Sequence, residues 1–246
     1  LRKLVIKIRS SPLRREKFQK QCLAASLPLL QLIPDIKTRW NSTELMIERA
    51  LKLKQALHNV SSSDRDLRKF LLSEDEWDYI QEISKILEHF KVASDYITGQ
   101  KYPTLSFSVP VYNYLLDKIE AELNKNRNET IKNVCRLAKK KIKSYYPTTD
   151  GDVYIIATIL DPRLKLQYYA DNNWEEYYIN DAKRIIIDAW TNYYKNNDLA
   201  MVVPNKPDPL LNHVFKKQKT QPNDELKRYL GEEVIDSELD VLQWWK

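Results

Sequence analysis

The chain has 246 residues, 43% hydrophobic and 30% charged, with a net charge of +6, a balance that describes a soluble globular protein able to bury a sizeable core. Three Gly in the whole chain nearly exclude glycine-rich phosphate loops, tight hairpins and dinucleotide-binding turns. Two distant cysteines, Cys22 and Cys135, and three His show no zinc spacing, and the longest apolar run, 23–34, is too short to span a bilayer, so no metal site and no membrane partner are expected.

Charge is spread unevenly. Residues 1–24 carry Arg2, Lys3, Lys7, Arg9, Arg14, Arg15, Lys17 and Lys20 against Glu16 alone, a net +7, whereas the last 23 residues are net −4. A basic head suits a polyanion, and an acidic tail with aromatics suits a protein partner. Scarce Gly among many Leu, Ile, Lys and Glu favours helices. The expected fold is mainly α, with at most a few short strands. The first residue is Leu rather than Met, which suggests a piece of a longer protein or an incomplete gene model.

In residues 1–21, Leu1, Leu4, Val5 and Ile8 recur at helical spacing, so one or two helices are expected, broken at Ser10-Ser11-Pro12. Arg14, Arg15 and Lys17 are candidates for a phosphate-tracking face, with a solvated helix surface as the plain alternative. Next comes Asp35-Ile36-Lys37-Thr38-Arg39-Trp40-Asn41-Ser42-Thr43. Asn41, Ser42 and Thr43 are good N-caps, and Glu44 and Glu48 suit the first turns of a helix over 43–59. That spacing puts Arg39 and Trp40 in a loop at the helix mouth. Trp40 is either a core anchor or, with Arg39, a stacking platform with a cation beside it, which suits an unpaired base next to a phosphate.

The 43–59 helix carries Met46, Ala50, Leu53 and Leu57 on one stripe, with His58 at its end and a polar loop over 61–64. Ser73 and Glu76 form a capping-box pattern that opens a helix with Trp77, Ile80, Ile83, Leu87 and Phe90 inside and Gly99 at its end. Pro110 falls in the first turn of a helix running to about Asn124, with Val111, Leu115, Ile119 and Leu123 as its apolar face. Residues 129–146 predict another helix, around which Lys139, Lys140, Lys141 and Lys143 are distributed. Residues 154–163 are apolar and β-branched, so a buried strand and a buried helix both fit. Asp161-Pro162-Arg163 ends that element. Asp161 can cap the next turn, or join Asp150 and Asp152 as the acids of a metal-dependent nuclease. An aromatic helix over 174–196 (Trp174, Tyr177, Ile186, Trp190, Tyr193) precedes a Pro-rich linker at 201–223. A short helix near Glu225 and an aromatic end follow, and adjacent Trp244 and Trp245 should pack on this chain, on a second copy or on residues further along.

Five of these blocks, in order from Ile8 to Lys246, resemble the hAT superfamily of DNA transposases, of the zinc-finger-BED and RICESLEEPER kind. Asp35 to Thr43, with Leu45-Met46 and Glu48-Arg49 after it, resembles the family's RW block, and Ile8 to Phe18 the segment before it. Lys101 to Leu105 with Pro110 to Asp117, then Ala157 to Leu166, then the end of the chain, resemble its later blocks. The resemblance implies the helical insertion domain of an interrupted RNase-H-like fold. Residues 1–40 would be a basic helical segment leading into the RW block, 41–200 the helical hAT-like region, 201–223 the linker, and 224–246 a truncated C-terminal dimerisation region. It implies a nuclear, DNA-binding protein that forms a homodimer or higher oligomer. Arg39 and Trp40 would lie at the DNA, Trp40 matching a tryptophan that stacks on a flipped base at the transposon end. Tyr229, Leu230, Leu239, Val241, Leu242, Trp244 and Trp245 would form the dimer contact. Glu44 stands where the family has an aromatic. The family's catalytic carboxylates, two Asp and a Glu, would fall before Leu1 and beyond Lys246, and its BED-type zinc finger is absent. So no catalytic residue is assigned, and divalent metal is expected only for the full-length enzyme. The alternative is a helical protein-interaction module derived from a transposon, with no DNA role.

Overall fold

The computed structural model describes residues 1–36, 38–99, 103–125, 128–145, 151–194 and 225–246. Asp150 and the linker assigned to 201–223 lie outside them. Among the described residues every regular element is a helix and there is no strand. It divides into two compact units, Leu1–Tyr96 with Tyr114–Lys143, and Ile97–Asn113 with Ser144–Lys246. No described helix is long and apolar enough to cross a membrane.

The first unit opens with α1 (Arg2–Arg9) and α2 (Pro12–Ala24). The expected break between them forms because Ser11 leaves the helical conformation and caps α2, accepting from the Arg14 N–H at 3.4 Å. Pro12 follows in the first turn, where a missing N–H costs nothing. The core joins Leu4, Val5 and Ile8 of α1 to Phe18 and Cys22 of α2, to α3 (Trp40–Lys52) and α4 (Lys54–Ser63), and to Trp77. Fully burying each large aliphatic side chain here contributes about 1.5–3 kcal/mol, so Leu57→Ala, in a site with no exposure, should cost about 2–5 kcal/mol.

Two boundaries differ from the sequence reading. The single helix over 43–59 is two helices, broken at Leu53 (φ −114°, ψ 20°), and the first begins at Trp40. Leu53, at the break, is fully buried in the core of the unit. Residues 61–63 are helical rather than loop. Ser61 Oγ donates to Leu57 O at 2.7 Å, which satisfies the hydroxyl inside the helix. His58 is therefore in the middle of α4, on its exposed side, and not at a helix end.

The long helix α5 (Glu74–Ile97) starts with the expected capping box. The Ser73 N–H donates to Glu76 Oε2 at 2.9 Å, and the Glu76 N–H donates to Ser73 Oγ at 3.2 Å. Helix α6 (Ser108–Lys125) buries Val111, Leu115 and Ile119, and α7 (Glu129–Tyr145) buries Ile131, Cys135 and Ile142.

In the second unit, residues 151–160 settle as helix α8 (Gly151–Leu160), followed by α9 (Gln167–Asp171), α10 (Glu176–Tyr193), α11 (Glu225–Gly231) and α12 (Val241–Trp244). Thr158, fully buried, donates its one proton to either Tyr154 O (2.8 Å) or Ser106 O (2.9 Å). Val109, Ile159, Tyr169, Ala182, Ile186 and Leu226 form the core. The aromatic stripe expected on α10 is only partly inside, since Tyr177 and Tyr193 are 72% and 75% exposed. Lys165, at φ 49° and buried, donates from Nζ to Tyr229 O at 2.9 Å and Glu232 O at 3.0 Å. It thereby satisfies carbonyls at the end of α11 that the helix leaves without partners. Burial pushes its pKa down, opposed by Glu232.

Candidate nucleic-acid interface

The turn before α3 is built on Asp35, whose side chain is wholly enclosed. Thr43 Oγ1 donates to Asp35 Oδ1 at 2.6 Å, and Arg2 Nε pairs with the other oxygen. Ser42 Oγ accepts from the Ile36 N–H at 2.7 Å and lies 2.6 Å from Arg39 O, 3.0 Å from Ile36 O and 3.1 Å from Asp35 Oδ1, any one of which can take its proton. Burial by itself would raise the Asp35 pKa. The bonds from Thr43 and Ser42 and the Arg2 guanidinium outweigh burial and hold it below the ordinary carboxylate value.

This knot corrects the expected capping pattern. Ser42 and Thr43 reach back to Asp35 and Ile36 instead of capping a helix ahead of them, so the helix starts earlier, with Arg39 as its N-cap. Trp40 is the first helical residue rather than a loop residue. It is 38% exposed, with one edge against Phe90 at a centroid distance of 6.1 Å. Arg39 is exposed and has no ion pair among the described residues. Glu44, one turn along the same face of α3, is buried and lies outside the first turn, where a dipole role was expected. It faces Lys91 Nζ at 3.6 Å, and Glu48 stands 3.7 Å from the same nitrogen. Glu44 first, then Glu48, raise the Lys91 pKa, so the cation remains charged and offsets both acids behind Trp40.

The basic head is partly used inside its own unit. Arg2 serves Asp35, and Arg9 donates to Leu32 O. Arg14 bridges Asp64 at 3.3 Å and Asp66 at 2.9 Å, tying α2 to the end of α4. Lys20 pairs with Glu16 at 2.8 Å. Arg14, read from the sequence as a phosphate contact, is thus held by two acids. Arg15 and Lys17, with Lys3 and Lys7, are exposed and show no ion pair among the described residues.

At the other end of the chain, Trp244 and Trp245 pack on their own unit, 5.9 and 5.3 Å from the Tyr229 ring and 4.8 Å from each other. Tyr229 is buried and donates its hydroxyl proton to Ile159 O at 2.8 Å, and Val241 is buried too. Of the seven residues expected at a dimer contact, these two are interior. Leu239, Leu242 and Trp245 are exposed, and Leu230 and Trp244 are half-buried. A groove of about 520 Å³ lies beside them, walled by Trp190, Tyr194, Trp244 and Trp245.

Asp161 is not available to a metal. Arg163 approaches its two oxygens at 3.0 and 2.8 Å, the Arg163 N–H donates at 3.1 Å, and Ser106 donates at 2.8 Å. That is the turn-capping role. Among the described residues no group of His, Cys, Asp or Glu is arranged to hold a metal ion. The sequence reading missed Asp35 as the centre of its turn and Lys91 as the partner of Glu44. The first left a faint signal, an Asp seven and eight residues ahead of two hydroxyls. The second left none, because 47 positions separate the pair.

Residues 1–86 match the family model described as the ZBED1 RNase-like helical domain. Over 94% of its length the chain is 29% identical to the putative transcriptional regulator tpeD of Talaromyces stipitatus, covering 27% of that protein. Over 99% it is 28% identical to zinc finger BED domain-containing protein 4 of Homo sapiens, covering 21%. Over its whole length it is 24% identical to the putative AC transposase of Zea mays, covering 33%. The chain therefore spans about a fifth to a third of these relatives. No solved structure matches.

Proposed function

We propose that this chain, a hAT-type transposase-like protein, binds DNA through its first unit and does not cut it. Trp40 stacks on an unpaired base, Arg39 meets the neighbouring phosphate, and Arg15 and Lys17 track the backbone. The observation that carries this reading is an exposed Trp-Arg pair on a turn whose only acid, Asp35, is already satisfied by Arg2, Thr43 and Ser42. Among the described residues nothing pairs with Arg39, and the Trp40 ring is held by Phe90 at one edge with a third of its surface open. A ring fixed in this way loses little freedom on stacking. The names of the relatives, a transcriptional regulator, BED zinc-finger proteins and a transposase, accord with work on DNA in the nucleus.

The test is binding to hairpin-ended and plain duplex DNA across a salt series. Base stacking on an aromatic is worth about 1–3 kcal/mol, so Trp40→Ala should weaken hairpin binding roughly 5- to 150-fold and erase the preference over duplex. Unchanged hairpin affinity would remove the stacking role. A second reading rests on the exposed Leu239, Leu242 and Trp245: the acidic end of the chain joins two copies. Leu242→Glu should shift sedimentation equilibrium toward monomer. If the wild type is already monomeric at micromolar concentration, that contact is absent and so is the protein-interaction reading built on it.

A further inference from the structure

A cavity of about 240 Å³ opens between the end of α1, the outer side of α2 and the extended segment 30–32. Its floor is apolar, made by the buried Ile8, Phe18 and Leu32, and its rim carries Arg9, Arg15, Gln19 and Gln31. The break at residues 10–11 creates this arrangement. On one unbroken helix, residues six apart point about 120° away from each other, whereas here both guanidiniums line one cavity. The far wall is fixed from two sides. Arg9 Nη1 donates to Leu32 O, and Arg49 Nη1 donates to Gln31 O at 2.6 Å. A guanidinium has five N–H donors, so the Leu32 bond leaves most of Arg9's capacity free to face the cavity. Arg15 has no ion pair among the described residues. The one acid on the rim, Glu16, is held by Lys20 at 2.8 Å.

We infer that this cavity is a phosphate seat, separate from the turn that carries Trp40. Two forked guanidiniums match the oxygens of a phosphate, the Gln19 and Gln31 amides add neutral donors, and the apolar floor suits the carbon face of an attached sugar. The phosphate can come from a DNA strand lying on the basic head, which rests on the DNA reading above, or from a free phosphate-bearing molecule, which does not.

The test uses the whole chain. Arginine side-chain N–H resonances are followed while inorganic phosphate is titrated at constant ionic strength, and the salt dependence of DNA binding is measured for wild type, Arg15→Gln and Lys3→Gln. The Arg9 and Arg15 signals should shift saturably, and Arg15→Gln should abolish the response while leaving the unfolding midpoint in place. If Arg15→Gln also lowers DNA affinity 5- to 10-fold and flattens the slope of log K against log salt by about one, beyond the effect of Lys3→Gln, the phosphate is a strand phosphate. A saturable response with an unchanged slope assigns the seat to a free phosphate ligand. No saturable response overturns the seat, whatever the DNA does. A saturable response with no effect of Trp40→Ala on DNA would sink the stacking role and leave the seat standing.

Discussion

Asp35 in the first unit and Asp161 in the second are both enclosed carboxylates at the head of a short turn that also contains an arginine. Asp161 takes that arginine for itself. Arg163 grips both its oxygens and lays its guanidinium over the Phe107 ring at 4.9 Å. Asp35 is satisfied instead by Thr43, Ser42 and the distant Arg2, and the arginine of its own turn, Arg39, stays exposed beside Trp40. The same residue types give a closed joint in one place and an open cation–aromatic pair in the other. A buried acid must find partners. An arginine nearby is free for a ligand only when that demand is met by others.

The largest expected effect tests the closed joint. Asp161→Ala removes the carboxylate to which the mostly buried Arg163 and the buried Ser106 hydroxyl both donate. Breaking a buried pair from one side costs about 3–5 kcal/mol, read as a shift in the urea midpoint. Asp35→Ala should cost less, about 1–3 kcal/mol, because the Arg2 side chain is half-exposed and can turn to water. Equal losses would mean that the two joints are alike and the comparison fails.

Acid should loosen both joints together. At each aspartate burial pushes the pKa up, but hydrogen bonds and the paired guanidinium outweigh it, and the folded value lies below the ordinary one. A depressed folded pKa contributes stability that is fully present above the unfolded value, about 3.9, and is lost as pH falls through the folded value. Unfolding midpoints should therefore drop below about pH 4. The double variant Asp35→Ala/Asp161→Ala should show a shallower drop than wild type. An equally steep drop would assign the acid sensitivity to other carboxylates.

The residues explain which parts of this arrangement could be read in advance. The start of helix α5 was legible because Ser73 and Glu76 exchange bonds as close neighbours. The start of α3 was not. Asn41, Ser42 and Thr43 all look like caps, and only the spacing to Asp35 hints that it competes for the Ser42 and Thr43 hydroxyls. Met46, Ala50, Leu53 and Leu57 keep one helical stripe through a break that shows only in the backbone angles of Leu53. The charge of Arg14 was visible, but its acids stand fifty positions away. The Trp244-Trp245 pair announced that it needed cover, while the cover itself, Tyr229 pinned to Ile159 O, depends on α8 being a helix, which periodicity left open. Local chemistry was readable, and the choice of partner was not.

The smallest effect on stability is the most telling about function. Arg39→Ala removes an exposed side chain that has no ion pair among the described residues, so the urea midpoint should stay within the scatter of surface substitutions. DNA binding should nonetheless weaken and its salt slope fall by about one phosphate's worth. Arg163→Ala should do the reverse. Asp161 then keeps only the Ser106 hydroxyl and the backbone N–H of residue 163, stability falls, and the salt slope does not move. The paired measurement separates the two arginines even if each variant alone is ambiguous, because a general loss of fold would lower both readouts in both proteins. If Arg163→Ala flattens the salt slope and Arg39→Ala does not, then exposure beside a satisfied acid is not what marks the DNA contact, and the open turn around Trp40 loses its claim to that role.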